Sequence, residues 1–324
     1  MESWFWVLGW FLSILTITGN GFIIILVCKK RQLRTKTNAF VVSLAVADLF
    51  IGITAVPLLF SYEVTRDRSY SQDLKRAELI VRWLFQDASV VCLCSLVLER
   101  YIAIVKPFKY VTLMTRRRVV QMIFVPWTIT LIFILLESSL WIGLNSPSVL
   151  KIFIWFVILF YEFLPCCVII FCLISMFRVV YKHNRAADIL TRQLRFNYHV
   201  SYKSYEKSGV ILMTIVSGFF LAYISLNIRC GILYILDKWC LDWPYKIPTF
   251  VCNSAVNPMA YAFFKRDIKK EITKLMYKLT KHHRSKIHRW NGIVQNEAQL
   301  NATYEKPKVK VTVCTTKKYL KQSR

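Results

Sequence analysis

Long apolar stretches alternate with short polar segments along almost the whole chain. Each stretch holds about 20 predominantly apolar residues, the length that an α-helix needs to cross a hydrocarbon core of roughly 30 Å. Backbone groups in lipid have to form their hydrogen bonds within the chain, so we expect helices rather than open strands. The pattern predicts seven spans, near residues 4–28, 38–62, 78–100, 119–144, 149–177, 208–236 and 245–264.

The same pattern predicts the domain organisation. Hydrophobic residues make up 56% of the 324 residues and charged residues 19%, which is too apolar for an ordinary soluble domain. Residues 1–281 are expected to form one all-α membrane domain, because almost no chain remains between the spans. Residues 282–324 are basic and polar with weak periodicity, and we expect a largely disordered cytoplasmic tail.

The excess of basic residues predicts the orientation of the chain. The formal net charge is +26, and the lysines and arginines cluster in the first, third and fifth connections and in the tail. The positive-inside rule therefore places the N-terminus outside and the C-terminus in the cytoplasm. Nucleic-acid binding is the other interpretation of such charge, but attraction to anionic membrane lipids is sufficient in a polytopic chain. We expect membrane lipids, and no nucleic acid, as partners.

Polar side chains of several spans lie at a similar predicted depth. At a helix rise of about 1.5 Å per residue, they lie roughly 12 to 18 Å above the inner ends of their spans. These residues are Asn20, Asp48, Ser89, Asn253 and Asn257. An ionised aspartate alone in lipid is costly, so we expect hydroxyl and amide partners around Asp48. Such oxygens suit a hard cation such as sodium; the alternative is a water-filled packing defect without an ion.

A charged pair closes the third span. Glu99 and Arg100 are adjacent and are followed by Tyr101. Ser89 and Arg100 are three helical turns apart, so both are expected to face the bundle. An ion pair between Glu99 and Arg100 would hold the inner face closed, and its rupture would free the guanidinium for a partner. The alternative is an arginine that extends its side chain to lipid phosphate.

Ionisable residues also lie in the outer half of the spans, where an intramembrane charge indicates a functional site. They are Arg82, Asp87, Glu137, Glu162 and Arg229. Asp87 and Glu162 facing each other would suit a cationic group of a ligand, and Arg82 would suit a carboxylate. The alternative is a set of internal ion pairs.

Two cysteines lie near the predicted outer surface. Cys230 and Cys240 either close a small disulfide loop or remain free. The chain shows no nucleophile–base or metal-ligand spacing that would indicate an enzyme.

Taken in order, these motifs resemble the rhodopsin-like (class A) G protein-coupled receptor family. The resemblance covers about residues 15–275. Its motifs are Gly19-Asn20, Leu44-Ala45-x-x-Asp48, Ser89, Glu99-Arg100-Tyr101, Pro107, Trp127, Pro165 and Asn257-Pro258-x-x-Tyr261. Residues Lys265–Lys278 resemble the family's short amphipathic eighth helix along the inner leaflet.

The resemblance implies a plasma-membrane receptor in which a diffusible extracellular ligand shifts the bundle toward a heterotrimeric G protein. It implies roles in coupling and switching for Glu99, Arg100, Tyr101, Phe108 and Tyr261. It implies a sodium site that favours the resting state, formed by Asp48, Ser89, Asn253 and Asn257. The expected ligand pocket combines Arg82, Asp87 and Glu162 with Tyr223, which stands where the family has a tryptophan lever.

The chain also departs from the family pattern. Lys75 stands where the family usually has a bridging cysteine, and the second outer loop, Asn145–Ser148, is too short to carry its partner. Ser225 replaces the proline that kinks the sixth helix, and Leu173 replaces a tyrosine of the fifth. A receptor-like protein that binds without efficient signalling is therefore an alternative. An ion transporter is another, although internal repeats and glycine-broken helices are not evident.

Two ligand classes are disfavoured by the same comparison. Retinal proteins need a lysine deep in the seventh span, and Pro248–Phe264 contains none. Amine receptors of the family place an aspartate where this chain has Arg82, which argues against a monoamine bound in the usual way.

Overall fold

A computed structural model describes residues 3–65, 72–143, 147–194, 203–238, 240 and 243–304. All regular structure within these residues is helical. The chain divides into two units, residues 1–270 and 271–324, each of which is described by itself. The helices are α1 (Ser3–Lys29), α2 (Lys36–Thr65), α3 (Gln72–Val105), α4 (Pro107–Leu113), α5 (Arg116–Gly143), α6 (Pro147–Val157), α7 (Leu164–Leu194), α8 (Lys203–Ile235), α9 (Trp243–Phe264) and α10 (Arg266–Tyr304).

The membrane crossings follow the predicted spans. Six helical segments of the described chain are long and apolar enough to cross a bilayer. The helix α9 makes the seventh crossing: its 22 residues extend about 33 Å at the usual rise. Its apolar stretch is interrupted by Asn253, Ser254, Asn257 and Pro258.

The helices of the first unit pack around α3, which contacts α2, α5, α7 and α8. The helix α1 packs against α2 and α9, and α9 also packs against α8. Small residues allow the closest approaches. A Cβ at Gly52 of α2 would lie 2.8 Å from Cγ1 of Ile17, and Ser13 of α1 donates a hydrogen bond to the Gly52 carbonyl.

The fifth crossing consists of α6, a π-helical turn at Ile158–Phe163 and α7. Pro165 has no N–H to donate to the carbonyl four residues earlier, so regular α-helical bonding fails just before it. The wider turn buries Tyr161 and Glu162. It also lies close to α8, because a Cβ at Gly231 would be 2.7 Å from Cδ1 of Ile158.

The helix α10 differs from the sequence-based expectation. A short eighth helix ending at Lys278 was expected, with disorder from residue 282, whereas α10 continues to Tyr304. Composition predicted disorder because the segment is basic and has few apolar residues. The same segment contains no proline up to Tyr304, so no residue in it lacks the backbone N–H that a continuous helix needs. Residues 305–324 lie outside the described part, and the boundary at residue 281 remains a prediction.

Candidate functional site

Asp48 is the centre of a polar cluster in the middle of the bundle. Its side chain is fully buried. Oδ1 accepts a hydrogen bond of 2.8 Å from Oγ of Ser89 on α3, and Oδ2 accepts one of 2.7 Å from Nδ2 of Asn257 on α9. Three helices thus meet at one carboxylate, and hydroxyl and amide donors offset part of the cost of its burial.

Further oxygens of this cluster have no hydrogen-bond partner. Nδ2 of Asn20 donates to the carbonyls of Thr16, at 3.0 Å, and Ser254, at 3.2 Å, which ties α1 to α9. The buried side-chain oxygens without a partner on these helices are Asn20 Oδ1, Asn253 Oδ1, Ser254 Oγ, Asn257 Oδ1 and Tyr261 Oη. Buried acceptors are normally satisfied, so the cluster has capacity for water or a small cation.

A second network surrounds Arg100 at the basic end of α3. Nε of Arg100 lies 2.7 Å from Oε2 of Glu99, which is the ion pair that the sequence predicts. The other carboxylate oxygen, Oε1, accepts hydrogen bonds of 2.8 Å from Thr37 Oγ1 and from Tyr110 Oη. Arg100 also donates to the Thr37 hydroxyl. Residues of α2, α3 and α4 therefore hold the guanidinium beside a buried carboxylate.

The hydroxyl of Tyr110 donates its hydrogen bond to the Glu99 carboxylate of this network. Burial and the neighbouring Glu99 carboxylate raise the pKa of the Tyr110 phenol to about 12. The phenol therefore keeps its proton at physiological pH, and its hydrogen bond fixes α4 against the end of α3.

A cleft opens beside Arg100 at the same end of the bundle. Its volume is about 450 Å³, including space open to solvent. Its walls include Thr37, Leu96, Arg100, Met213, Tyr261 and Lys265. Lys265 donates to Oδ1 of Asn38, whose Nδ2 donates to Oδ2 of Asp267 at 2.8 Å. Burial lowers the pKa of Lys265 from its ordinary 10.5 to about 8.

Two predicted coupling residues lie away from this cleft. Phe108 is 92% exposed at the start of α4, where its ring is available to a partner. The ring of Tyr101 packs against Phe171 of α7 at a centroid distance of 5.9 Å, and Nζ of Lys106 lies 5.9 Å from its centroid. The structure thus places Tyr101 on the α7 side, whereas Arg100 and Tyr261 share the cleft.

A hydrogen-bonded chain of side chains crosses the outer half of the bundle. Tyr223 of α8 is 2% exposed, and its hydroxyl accepts hydrogen bonds from Gln86 of α3 and, at 3.0 Å, from Asn227. Nδ2 of Asn227 also donates to Oε1 of Glu162 at 2.7 Å. This outer polar chain, Gln86–Tyr223–Asn227–Glu162, connects α3 through α8 to the π-helical turn.

The charged residues of the predicted pocket lie on or next to this outer polar chain. Glu162 is part of it, and Asp87 and Arg82 lie on α3 one residue after and one turn before Gln86. The structure therefore joins Glu162 and Tyr223 through Asn227, and it places Arg82 and Asp87 on the stretch of α3 that contacts Tyr223 through Gln86. Arg229 is exposed, and the side chain of Glu137 lies outside the description.

The outer ends of two crossings are also linked. Cys230 and Cys240 form a disulfide with a Cα–Cα distance of 5.3 Å. Nζ of Lys151 on α6 forms an ion pair of 2.6 Å with Asp237, close in sequence to this disulfide. The side chain of Lys75 in α3 and residues 144–146, which include the start of the second outer loop, lie outside the described part of the structure.

Sequence reasoning missed several residues of these networks. They are Thr37, Gln86, Tyr110, Asn227 and Ser254. Uncharged hydroxyls and amides are common within membrane spans, so each gives only a weak signal. Helical spacing supplies the signal that was available: Asn227 lies one turn after Tyr223, which places both on one face of α8.

The comparisons with known proteins agree with this geometry. The sequence profile of the family described as 7 transmembrane receptor (rhodopsin family) matches residues 19–261. The match covers most of the chain, and the chain therefore belongs to this family of G protein-coupled receptors. The predictions of the family, of an all-helical seven-span fold and of receptor function are confirmed; the short eighth helix is not.

Several curated proteins are similar to this chain. The octopamine receptor beta-2R of Chilo suppressalis is 25% identical over 311 residues, covering 79% of this chain and 75% of that protein. The octopamine receptor beta-2R of Drosophila melanogaster is 40% identical over 134 residues, but only 25% of its length is covered. Melanopsin of Phodopus sungorus is 24% identical over 280 residues, covering 79% of this chain and 59% of melanopsin.

Proposed function

We propose that this protein is a plasma-membrane receptor that binds a diffusible extracellular ligand and activates a heterotrimeric G protein. The N-terminus lies outside and the C-terminus in the cytoplasm, in agreement with the basic connections at the Arg100 end. The ligand binds at the outer polar chain, and the G protein binds at the cleft beside Arg100. The outer polar chain and the cleft lie at opposite ends of the same helices, so a shift of α8 affects both.

The single observation that carries this proposal is the arrangement of Arg100. Its guanidinium is held by Glu99 and Thr37 at the rim of a cleft that Tyr261 also lines. Breaking this network releases a cation and a set of donors into the cleft. A partner segment with free carbonyls or a carboxylate would then find charge-assisted donors there. Burial of Glu99 makes the closed pair costly to break without such compensation.

The polar cluster around Asp48 is proposed to bind sodium in the resting receptor. The residues that would hold the ion are Asp48, Ser89, Asn253 and Asn257. Support comes from the donor set, which combines one carboxylate, a hydroxyl and amides, and from buried oxygens without a partner. Oxygen ligands of this kind suit a hard monovalent cation, and its charge would offset that of the buried carboxylate.

The ligand is proposed to carry a cationic group. Support comes from Glu162, whose Oε1 accepts a hydrogen bond from Asn227, and from Asp87, the neighbour of Gln86 on α3; either carboxylate suits a cationic group. Several relatives are named as octopamine or dopamine receptors and one as melanopsin. Arg82 stands where the family's amine receptors have an aspartate, so we do not infer a monoamine bound in the usual way. Pro248–Phe264 contains no lysine that could bind retinal covalently, so we do not infer retinal either.

The decisive experiment is a G protein activation assay in cells that express the full chain. A panel of amines, peptides, lipids and nucleosides would identify an agonist. Arg100→Ala is expected to abolish the response while agonist binding persists, because the guanidinium acts at the inner cleft. Arg116→Ala, at an exposed arginine that starts α5, is the matched control and should respond normally. A full response from Arg100→Ala would contradict the proposal.

One observation favours a second candidate, a receptor that binds ligand without efficient signalling. The helix α8 contains no proline, and Oγ of Ser225 bonds back to the Ala222 carbonyl at 2.7 Å. Without a proline, α8 lacks the kink that would serve as a hinge between its outer and inner halves. In that case agonist binding would be measurable, but no G protein sensor would respond to it.

A further inference from the structure

Asn227 joins two parts of the outer polar chain. Its Nδ2 donates to Oε1 of Glu162 at 2.7 Å and to the Tyr223 hydroxyl at 3.0 Å. Asn227 and Tyr223 are one turn apart on α8, so the bond between them does not hold α8 against another element. The bond to Glu162, the Asn227–Glu162 contact, does so because Glu162 belongs to the π-helical turn of the fifth crossing.

The surroundings of this contact are closely packed. Both of its side chains are buried. One turn further along α8, a Cβ at Gly231 would lie 2.7 Å from Cδ1 of Ile158 in the π-helical turn. The ring of Tyr223 lies 5.0 Å from that of Phe250 on α9. A buried carboxylate in such a place depends on the donors that the protein or a ligand supplies, so a donor that leaves Glu162 has to be replaced by another.

We propose that the cationic group of the ligand breaks the Asn227–Glu162 contact and that this group carries an N–H donor. The inference rests on the part of the proposed function that gives the ligand a cationic group. A protonated amine or a guanidinium forms a stronger hydrogen bond with a carboxylate than a neutral amide does, so it displaces Nδ2 of Asn227 from Oε1 of Glu162. A quaternary ammonium has the charge but no N–H, and its methyl groups keep that charge away from the oxygen.

Breaking the contact changes how α8 is held. Nδ2 of Asn227 keeps its bond to the Tyr223 hydroxyl, which lies within α8. Gln86 still donates to the same hydroxyl, so α8 remains tied to α3. The outer half of α8 is thus released from the π-helical turn. Because the inner end of α8 lines the cleft beside Arg100, a charge that binds at the fifth crossing acts on the helix that faces the G protein.

A purely structural role for Asn227 has a different consequence. If its amide only satisfied a buried carboxylate, removing the amide would lower stability and would not favour a second donor. If the amide competes with the ligand, removing it leaves Oε1 of Glu162 to the cation and tightens cation binding. The contribution of a hydrogen bond to a charged group corresponds to roughly tenfold or more in an equilibrium constant.

The first test measures cation binding by the purified full chain, without a G protein. The probes are ethylammonium and tetramethylammonium, compared by thermal unfolding at equal ionic strength and constant sodium. A cation that binds the folded state raises the thermal midpoint. Ethylammonium is expected to raise it, and tetramethylammonium is not. Equal shifts from the two cations, or no shift from either, would overturn the proposal.

Glu162→Gln tests whether the cation binds at this carboxylate. The variant keeps the shape of the side chain and an acceptor for Asn227 but lacks the charge, so it should fold. Its midpoint should no longer rise with ethylammonium. A shift that persists in Glu162→Gln would overturn the proposal, because the cation would then bind at another acid.

Asn227→Leu tests the competition between the amide and the cation. The variant should bind ethylammonium roughly tenfold more tightly than the parent protein. Unchanged or weaker binding would indicate a structural role for Asn227 and overturn the proposal. Ser225→Ala is the matched control, since the exposed Ser225 hydroxyl bonds within α8 and should not affect the cation. If Asn227→Leu does not fold, the result for Glu162→Gln decides.

Release of α8 is measured separately, by amide hydrogen exchange of residues 219–231 in nanodiscs. Ethylammonium should speed exchange there in the parent protein but not in Glu162→Gln. Exchange that does not respond to ethylammonium would overturn the release of α8. Neither measurement involves a G protein, so failure of this inference is distinguishable from failure of the proposed coupling. A receptor that passes both tests without activating a G protein would refute the coupling alone.

Discussion

Gly19 of α1 lies directly against the ring of Pro258 in α9. A Cβ at position 19 would be 2.7 Å from Cγ of Pro258, a separation that the rigid proline ring cannot relieve by rotation. Pro258 follows Asn257, which bonds to Asp48. The missing side chain of Gly19 thus lets α9 come close enough for its asparagine to reach the carboxylate on α2.

Gly19→Ala is therefore expected to destabilise the receptor by about 1–3 kcal/mol through overpacking. The measurement is thermal unfolding of the purified protein, with a lower midpoint for the variant. Gly218→Ala is the matched control, since no heavy atom lies within 4 Å of a Cβ there. That control should be neutral or slightly stabilising, because alanine favours helix. An unchanged midpoint for Gly19→Ala would refute the close-packing argument.

Asp48→Asn is expected to remove the effect of sodium on the receptor. In the parent protein, replacing potassium by sodium at constant ionic strength should raise the thermal midpoint, because sodium binds the folded state. The variant lacks the carboxylate that the ion needs, so its midpoint should be the same in both salts. If the parent protein also shows no difference between the salts, the sodium proposal fails.

Tyr110→Phe is expected to raise basal G protein activation. The change removes a donor to the buried Glu99 carboxylate, and such bonds to charged groups contribute about 1.5–3 kcal/mol. The network that holds Arg100 is weakened accordingly. Tyr181→Phe, at a tyrosine that is 69% exposed, serves as the control. Basal activity identical in the two variants would show that α4 does not restrain Arg100.

The lowered pKa of Lys265 predicts that the free energy of unfolding changes with pH in the alkaline range. Its pKa is about 8 in the folded protein and 10.5 ordinarily. Between these values the unfolded state binds more protons, so the free energy of unfolding rises with pH from about 8 toward 10.5. Asp267, Glu99 and Arg100 also act on this group, but burial dominates.

Lys265→Met is expected to flatten this rise, measured as the thermal midpoint across the same pH range. Lys29→Met, at an exposed lysine that ends α1, should retain it. If the thermal midpoint of Lys265→Met rises with pH as much as that of the parent protein, another titrating group causes the rise.

The mid-membrane polar cluster was largely predictable. Helix rise alone placed Asp48, Ser89 and Asn257 at one depth, and the structure joins them by two hydrogen bonds. An aspartate within an apolar span is a strong signal, because its burial requires partners. Asn253 shares the depth, but no bond between it and Asp48 is found among the described contacts. Its assignment to a sodium site stays a prediction.

The outer polar chain was only half predictable. Glu162 is charged and was therefore recognised, and the family resemblance pointed to Tyr223. Gln86 and Asn227 carry no charge, and nothing in their own spans indicates that they meet on one hydroxyl. Their contact depends on the rotation of α3 and α8 about their axes, which the side-chain packing of all neighbours determines. Hydropathy is insensitive to that rotation.

The amino-acid sequence was sufficient to predict the number, length and order of the crossings, since a bilayer of fixed thickness requires about 20 apolar residues for each. It also determined the adjacent pair Glu99–Arg100, whose members are neighbours in any helix. The contacts of Thr37 and Tyr110 with that pair, by contrast, were revealed by the three-dimensional structure. Those contacts join helices distant in sequence, and their geometry follows from how α2, α3 and α4 pack, which no local pattern encodes.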